Sequence, residues 1–119
     1  MFKLITMMIS EKEVRENRKL FSETDKNMIA MFKVLSDLNR YRIFRLLAER
    51  PKLTIGSISI ILDISLPLTS QHIKILTNAN MLQKERVGKS VFSKLKSDDP
   101  FVRTIVKSIQ AAIKLGEKK

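Results

Sequence analysis

Cysteine is absent from this 119-residue chain, which removes a disulfide framework, a thiolate metal site and a cysteine nucleophile together. Histidine occurs once, as His72. With no second imidazole and no carboxylate beside it in sequence, it is expected to pack or meet a phosphate rather than bind a metal or catalyse. Glycine and proline number three each, leaving little length for loops or linkers. No Gly-rich phosphate loop, metal-ligand cluster or catalytic triad can be assembled, so neither an enzyme nor a cofactor is expected. Acid is in short supply: 23 Lys and Arg stand against 12 Asp and Glu, for a net charge of +11. Such a balance favours a polyanionic partner, either nucleic acid or an acidic membrane surface. No window approaches the ~18 uninterrupted apolar residues of a membrane span. Met1 to Ile9 is apolar, but it is short for a signal peptide, lacks a small-residue cleavage site and runs straight into Glu11-Lys12-Glu13. A soluble cytoplasmic protein with no membrane partner is expected.

A hydrophobic content of 44% fits a folded chain, and its length fits one domain with a modest core. Ser10 to Phe21 reads as a short exposed helix, with Val14, Arg18 and Phe21 at helical spacing. Ser22 to Asp25 breaks it. Met28, Met31, Phe32 and Leu35 then recur as an amphipathic stripe. Ser36-Asp37 ends that helix and caps another from Leu38, with Tyr41, Phe44, Leu47 and Ala48 along one side and Ile43 and Leu46 beside them. Pro51 terminates it. Near the C-terminus, Asp98-Asp99-Pro100 forms a helix start, and Asp98-Asp99 is read as a cap rather than a ligand pair. The helix that follows carries Phe101, Val102, Ile105, Val106, Ile109, Ala112 and Ile113 on a broad apolar face. That face exceeds what one small core needs and predicts a two-fold dimer seam.

The informative stretch lies between. Leu53 to Leu62 predicts one helix, Asp63-Ile64-Ser65 a turn, and Leu66 to Thr77 a second helix. Met81 to Arg86 and Ser90 to Leu95 predict two strands around Val87-Gly88-Lys89, with Leu82, Val91 and Leu95 holding the hairpin. This order is that of a winged helix-turn-helix in a mainly α fold with a small β-hairpin. A helix that fits the major groove, followed by a cationic hairpin, suits duplex DNA. Ser65 caps the second helix and Pro67 stands in its first turn; Ile73 and Leu76 face inward against Ile58 and Leu62. Leu66, Pro67, Ser70, Gln71 and Lys74 are then left to face DNA. Gln71 suits adenine, Lys74 a guanine or phosphate, and Leu66 or Leu68 a thymine methyl. From Gln83 to Lys96 five cations stand against Glu85 alone. Arg86 and Lys89 are the expected phosphate contacts, with Lys84 beside them.

From about Met31 to Lys96 the chain resembles the ArsR-type (arsenic-repressor-like) regulators. The matching phrases are Phe32-Lys33-Val34-Leu35-Ser36-Asp37 with Asn39-Arg40-Tyr41-Arg42-Ile43, then Leu62-Asp63-Ile64-Ser65, Ser70 to Leu76, and Val87 to Phe92. The resemblance implies a homodimeric repressor with element order α-α-α-α-β-β-α, here behind an additional N-terminal helix, dimerising through its first and last helices. Many relatives bind thiophilic metals through cysteines where Thr54 and Gly56 stand here, and others use histidine on the terminal helix, which has none. Metal sensing by either route is not expected. Leu68-Thr69 reverses the usual polar-then-apolar order, and Asn80 replaces a familiar glycine in a left-handed position.

Residues 1–24 are thus read as an extension with a short helix, 25–115 as the winged helix-turn-helix domain with its dimerisation helix, and 116–119 as a polar tail. The expected function is sequence-specific binding of double-stranded DNA by a homodimeric regulator, acting as a repressor. The candidate contacts are Ser65, Leu66, Pro67, Ser70, Gln71, Lys74, Lys84, Arg86 and Lys89, and the residues name no effector. Two alternatives compete: a winged helix that captures an acidic protein, and sequence-independent architectural binding to DNA.

Overall fold

The computed structural model describes residues 8–117. Most of the apolar segment Met1 to Ile9 and the final Lys118-Lys119 lie outside them. The elements are α1 (Glu11–Arg18), α2 (Thr24–Leu35), α3 (Leu38–Glu49), α4 (Ile55–Leu62), α5 (Leu66–Asn78), β1 (Leu82–Val87), β2 (Ser90–Leu95) and α6 (Pro100–Glu117). Behind α1, this is the expected α-α-α-α-β-β-α order of a winged helix-turn-helix. The chain divides into two compact units between Met31 and Phe32, inside α2.

In the first unit, Ser10 starts α1 by accepting a hydrogen bond from the Glu13 backbone N–H at 3.1 Å. Glu11 and Glu13 in the first turn and Arg15 and Arg18 in the last complement the helix dipole. The helix stops at Arg18, before the expected Phe21, which is exposed. No residue of α1 is buried; a helix without tertiary support frays once its local pairs run out. Ser22 and Asp25 then cap α2 reciprocally. The Ser22 Oγ accepts from the Thr24 N–H at 3.3 Å, and the Asp25 carboxylate accepts from the Ser22 N–H at 3.1 Å. The stripe expected on α2 is only partly right: Met31 is buried and Met28 and Leu35 are half-buried, but Phe32 is 55% exposed.

The core of the second unit is built from Ile43, Phe44 and Leu47 of α3, Ile58 of α4, and Ile73 and Leu76 of α5. Met81, Leu82 and Leu95 of the hairpin region and Val102 and Ile105 of α6 complete it. Burying each such side chain stabilises the fold by about 1.5–3 kcal/mol relative to exposure. Asp99 starts α6 by accepting from the Phe101 N–H at 2.8 Å, so its carboxylate is a cap, as expected. Gly116 and Glu117 continue that helix rather than beginning a tail.

Two boundaries differ from the sequence reading, each for a tertiary or local hydrogen-bonding reason. Leu53 is not helical. Its N–H donates to the Ser93 carbonyl at 3.0 Å and its carbonyl accepts from the Ser93 N–H at 2.8 Å, a one-residue extension of the sheet. Thr54 therefore caps α4, its Oγ1 accepting from the Ser57 N–H at 3.2 Å. Val87 pairs with Ser90, so the hairpin loop is Gly88-Lys89 alone, with Gly88 at φ 60°. Asn80 has the expected left-handed conformation, φ 60°.

Candidate nucleic-acid interface

The reading helix α5 is fixed at its start by local chemistry. Ser65 accepts from the Leu68 N–H at 3.2 Å, and Pro67 occupies the first turn, where its missing N–H leaves no bond unmade. Asp63, at φ 55° and ψ 49°, ends α4 and turns the chain toward it. Asp and Asn are the non-glycine residues that tolerate this region most readily.

Burial then sorts the faces of α5. Thr69, His72, Ile73 and Leu76 point inward. Leu66, Pro67, Ser70, Gln71 and Lys74 are all exposed, as expected. The reversed pair resolves in favour of Leu68: Thr69 is fully buried, and its hydroxyl donates to the Ser65 carbonyl at 2.8 Å. Leu68 therefore stands with the outer residues, 36% exposed.

The hairpin register determines which cations join that face. Lys84 opposes Ser93 and Arg86 opposes Val91, in line with the buried pair Leu82 and Leu95. Directly opposed residues of an antiparallel ladder point to the same side. Lys84 and Arg86 therefore share a side with Val91, while Glu85, Phe92 and Lys94 belong to the other; Lys89 is in the turn. Val91 was expected to hold the hairpin, but it is 37% exposed. It lines a cleft of about 590 Å³ with Leu66, Pro67 and Ser70 of α5 and Thr54 and Gly56 at the start of α4. The helix and wing thus border one concavity, which brings Leu66, Pro67 and Ser70 beside Ser90 and Val91 of the wing; Ser65, Gln71, Lys74, Lys84, Arg86 and Lys89 do not line it.

The acid of the wing is neutralised from outside it. Lys52 lies 3.1 Å from the Glu85 carboxylate and 5.0 Å from the centre of the Phe92 ring. The hydrogen bond and charge of Lys52, with Lys94 nearby, hold the Glu85 carboxyl below its ordinary range. Sequence reading singled out neither Thr54, Gly56 and Val91 as lining of the cleft nor Lys52 as the partner of Glu85. Only the basic character of Lys52 gave any signal.

His72 is buried, so of the two expected outcomes it packs. No carboxylate lies close in sequence, yet the fold brings the Asp37 carboxylate to 3.8 Å from its Nε2. Arg40 Nη1 lies 3.4 Å from its Nδ1. Asp37 also caps α3, accepting from the Arg40 N–H at 3.0 Å, and Arg40 Nε donates to the Val34 carbonyl at 2.7 Å. The Arg40 backbone N–H holds the Asp37 carboxyl below its usual range, aided by the charges of His72 and Arg40 and opposed by burial. His72 thus anchors the inner side of α5 instead of facing phosphate. Among the described residues there is no cluster of three or more His, Cys, Asp or Glu side chains able to hold a metal ion. No helix among them is long and apolar enough to cross a membrane.

Residues 37–84 match the family described as "Bacterial regulatory protein, arsR family". The chain is 30% identical over 93 residues to the cadmium resistance transcriptional regulatory protein CadC of Listeria innocua, covering 78% of each chain. In structure it resembles HlyU from Vibrio cholerae, with a TM-score of 0.70 and 18% identity over 77% of this chain and 97% of that one. It also resembles the homodimeric winged helix-turn-helix DNA-binding domain of Mb0332 from Mycobacterium bovis, with a TM-score of 0.65 and 16% identity, covering 79% and 88%. The fold and these relatives agree: the chain belongs to the ArsR family of bacterial regulatory proteins and is a winged helix-turn-helix transcriptional regulator.

Proposed function

We propose that the protein is a cytoplasmic homodimeric repressor that recognises a pseudo-palindromic duplex site and acts by occupying it, without catalysis. One observation carries this reading: Leu66, Pro67 and Ser70 of α5 line one cleft with Val91 of the hairpin, and Val91 is the ladder partner of Arg86. In that arrangement α5 enters the major groove, where Gln71 and Ser70 meet base edges and Leu66, Pro67 and Leu68 offer apolar contact to thymine methyl groups. Ser65 lies at the helix start, near the backbone. Lys74, Lys84, Arg86 and Lys89 neutralise phosphates, which supplies affinity without sequence information.

The dimer rests on the apolar face of α6. Its first two turns bury Val102 and Ile105, but Phe101 remains 38% exposed and Leu115 67% exposed. The homodimeric state of the Mycobacterium bovis domain is in keeping with this. The cadmium resistance for which the CadC relatives are named is not carried over, because the chain has no cysteine, the soft ligand that suits such a metal.

Selection from a random duplex library at near-physiological salt tests the reading. An enriched two-fold motif with half-sites about one helical turn apart is the expected result. Retention of DNA without a motif would mean architectural binding, and no retention would transfer the basic face to an acidic protein.

A further inference from the structure

Away from the cleft, α3 and the end of α4 border a second, open groove of about 450 Å³. It is lined by exposed Arg42, Arg45 and Arg50, by Leu46 and Leu62, both half-buried, and by Ile61, which is 55% exposed. Glu49 is its one acid. Folding explains neither half of this composition. Arg42 and Arg45 are one turn apart on α3, a spacing at which like charges repel. Among the described residues none of the three arginines forms an ion pair. Ile61 and its neighbour Ile60, 80% exposed, leave branched apolar surface in water on a helix only eight residues long.

Charge and apolar surface together specify a ligand. A guanidinium group matches a carboxylate with two parallel hydrogen bonds, and the isoleucine and leucine side chains offer a seat for hydrocarbon. The volume lies in the range of roughly 300–1,000 Å³ common to small-molecule sites. We propose that this groove binds a small amphiphilic anion, an aliphatic monocarboxylate, with its carboxylate among Arg42, Arg45 and Arg50 and its chain over Ile61 and Leu62. A compact inorganic anion leaves the apolar half unused, and a neutral hydrocarbon leaves the arginines unpaired.

Titration calorimetry of the full chain without DNA tests this independently of the regulatory reading. Decanoate, kept below the concentration at which it aggregates, is the probe; decanol and acetate are the comparisons. Decanoate is expected to saturate at one per chain, while decanol and acetate do not. Ile61→Ser and the double variant Arg42→Gln/Arg45→Gln should each weaken decanoate about tenfold or more. Circular dichroism checks that these variants, all at exposed positions, remain folded. The proposal is overturned if decanoate does not saturate, if decanol binds equally well, or if folded variants bind unchanged. Absence of decanoate binding with dissociation of a dimer by Ile61→Ser would assign the groove to a second copy. Absence of decanoate binding with saturable capture of a glutamate-rich amphipathic peptide would assign it to a protein partner.

Discussion

The reading helix and the wing lie beside one cleft but are built from opposite chemistry. The outer face of α5 is mostly neutral, with Leu66, Pro67, Leu68, Ser70 and Gln71 around a single cation, Lys74. The hairpin carries Lys84 and Arg86 on one side and Lys89 at its tip, and Lys52 pairs with its lone acid. Neutral donors and apolar groups can tell bases apart but add little long-range attraction; cations attract every duplex alike. Under the proposed function this difference divides the work, with specificity on the helix and affinity on the wing.

Their common support is the place where both halves fail together. Leu76 is fully buried on α5, and Leu76→Ala is expected to cost roughly 2–5 kcal/mol of stability, measured by urea unfolding. DNA binding should then fall in proportion to the folded fraction, with the preference among sequences intact. A changed preference in the folded fraction would mean that Leu76 acts on the reading face itself.

Gln71→Ala separates the halves. It should lose about 1–3 kcal/mol of discrimination at one base position, seen in competition against single-base variants of the site, while non-specific affinity holds. Uniform weakening would remove Gln71 from base reading. Arg86→Ala with Lys89→Ala is the converse: all duplexes should weaken alike, and the slope of log K against log salt should flatten by roughly one to two units. An unchanged slope would take the wing out of phosphate contact.

Two smaller effects test the supports of each half. Asp37 caps α3 and faces the inner side of α5 through His72; asparagine caps a helix equally well, so Asp37→Asn removes the charge alone and should cost a few tenths of a kcal/mol, up to about 1, at neutral pH. Because folding lowers the Asp37 pKa, its contribution is complete above the ordinary carboxylate range and fades as pH falls through the folded value. The wild-type and Asp37→Asn stability curves should therefore converge on acidification, and parallel curves would contradict the charge assignment. On the wing, Lys52→Ala removes an ion pair and a contact with the Phe92 ring, and should leave the urea unfolding midpoint nearly unchanged, because both partners are solvent-screened. It should also weaken DNA binding, since Glu85 then stands uncompensated among the cations; unchanged binding would isolate Glu85 from the DNA.

Much of this was legible in the residues. Ser65, Pro67, Asn80, Gly88 and Asp99 each stand where expected, because caps and turns depend on atoms only a few positions apart. The outward set on α5 was legible from helical period, since inward Ile73 and Leu76 leave Ser70, Gln71 and Lys74 outside. Leu53 was misread because its apolar neighbours suit a helix equally well, and only the arrival of Ser93 makes its extended form the better-bonded one. Phe32 was misread because periodicity places a stripe on a helix without giving its edge.

By itself the sequence determined the order of elements, the caps and turns other than the start of α4, the basic balance and the neutral outer face of α5, all properties of short stretches of chain. Tertiary structure alone decided the pairing of Lys52 with Glu85, the meeting of His72 with Asp37, the burial of Thr69 rather than Leu68, and the side of the hairpin on which Lys84 and Arg86 stand. Each of these depends on strand register or on which surfaces pack, and those are settled by the joint burial of residues far apart in the chain.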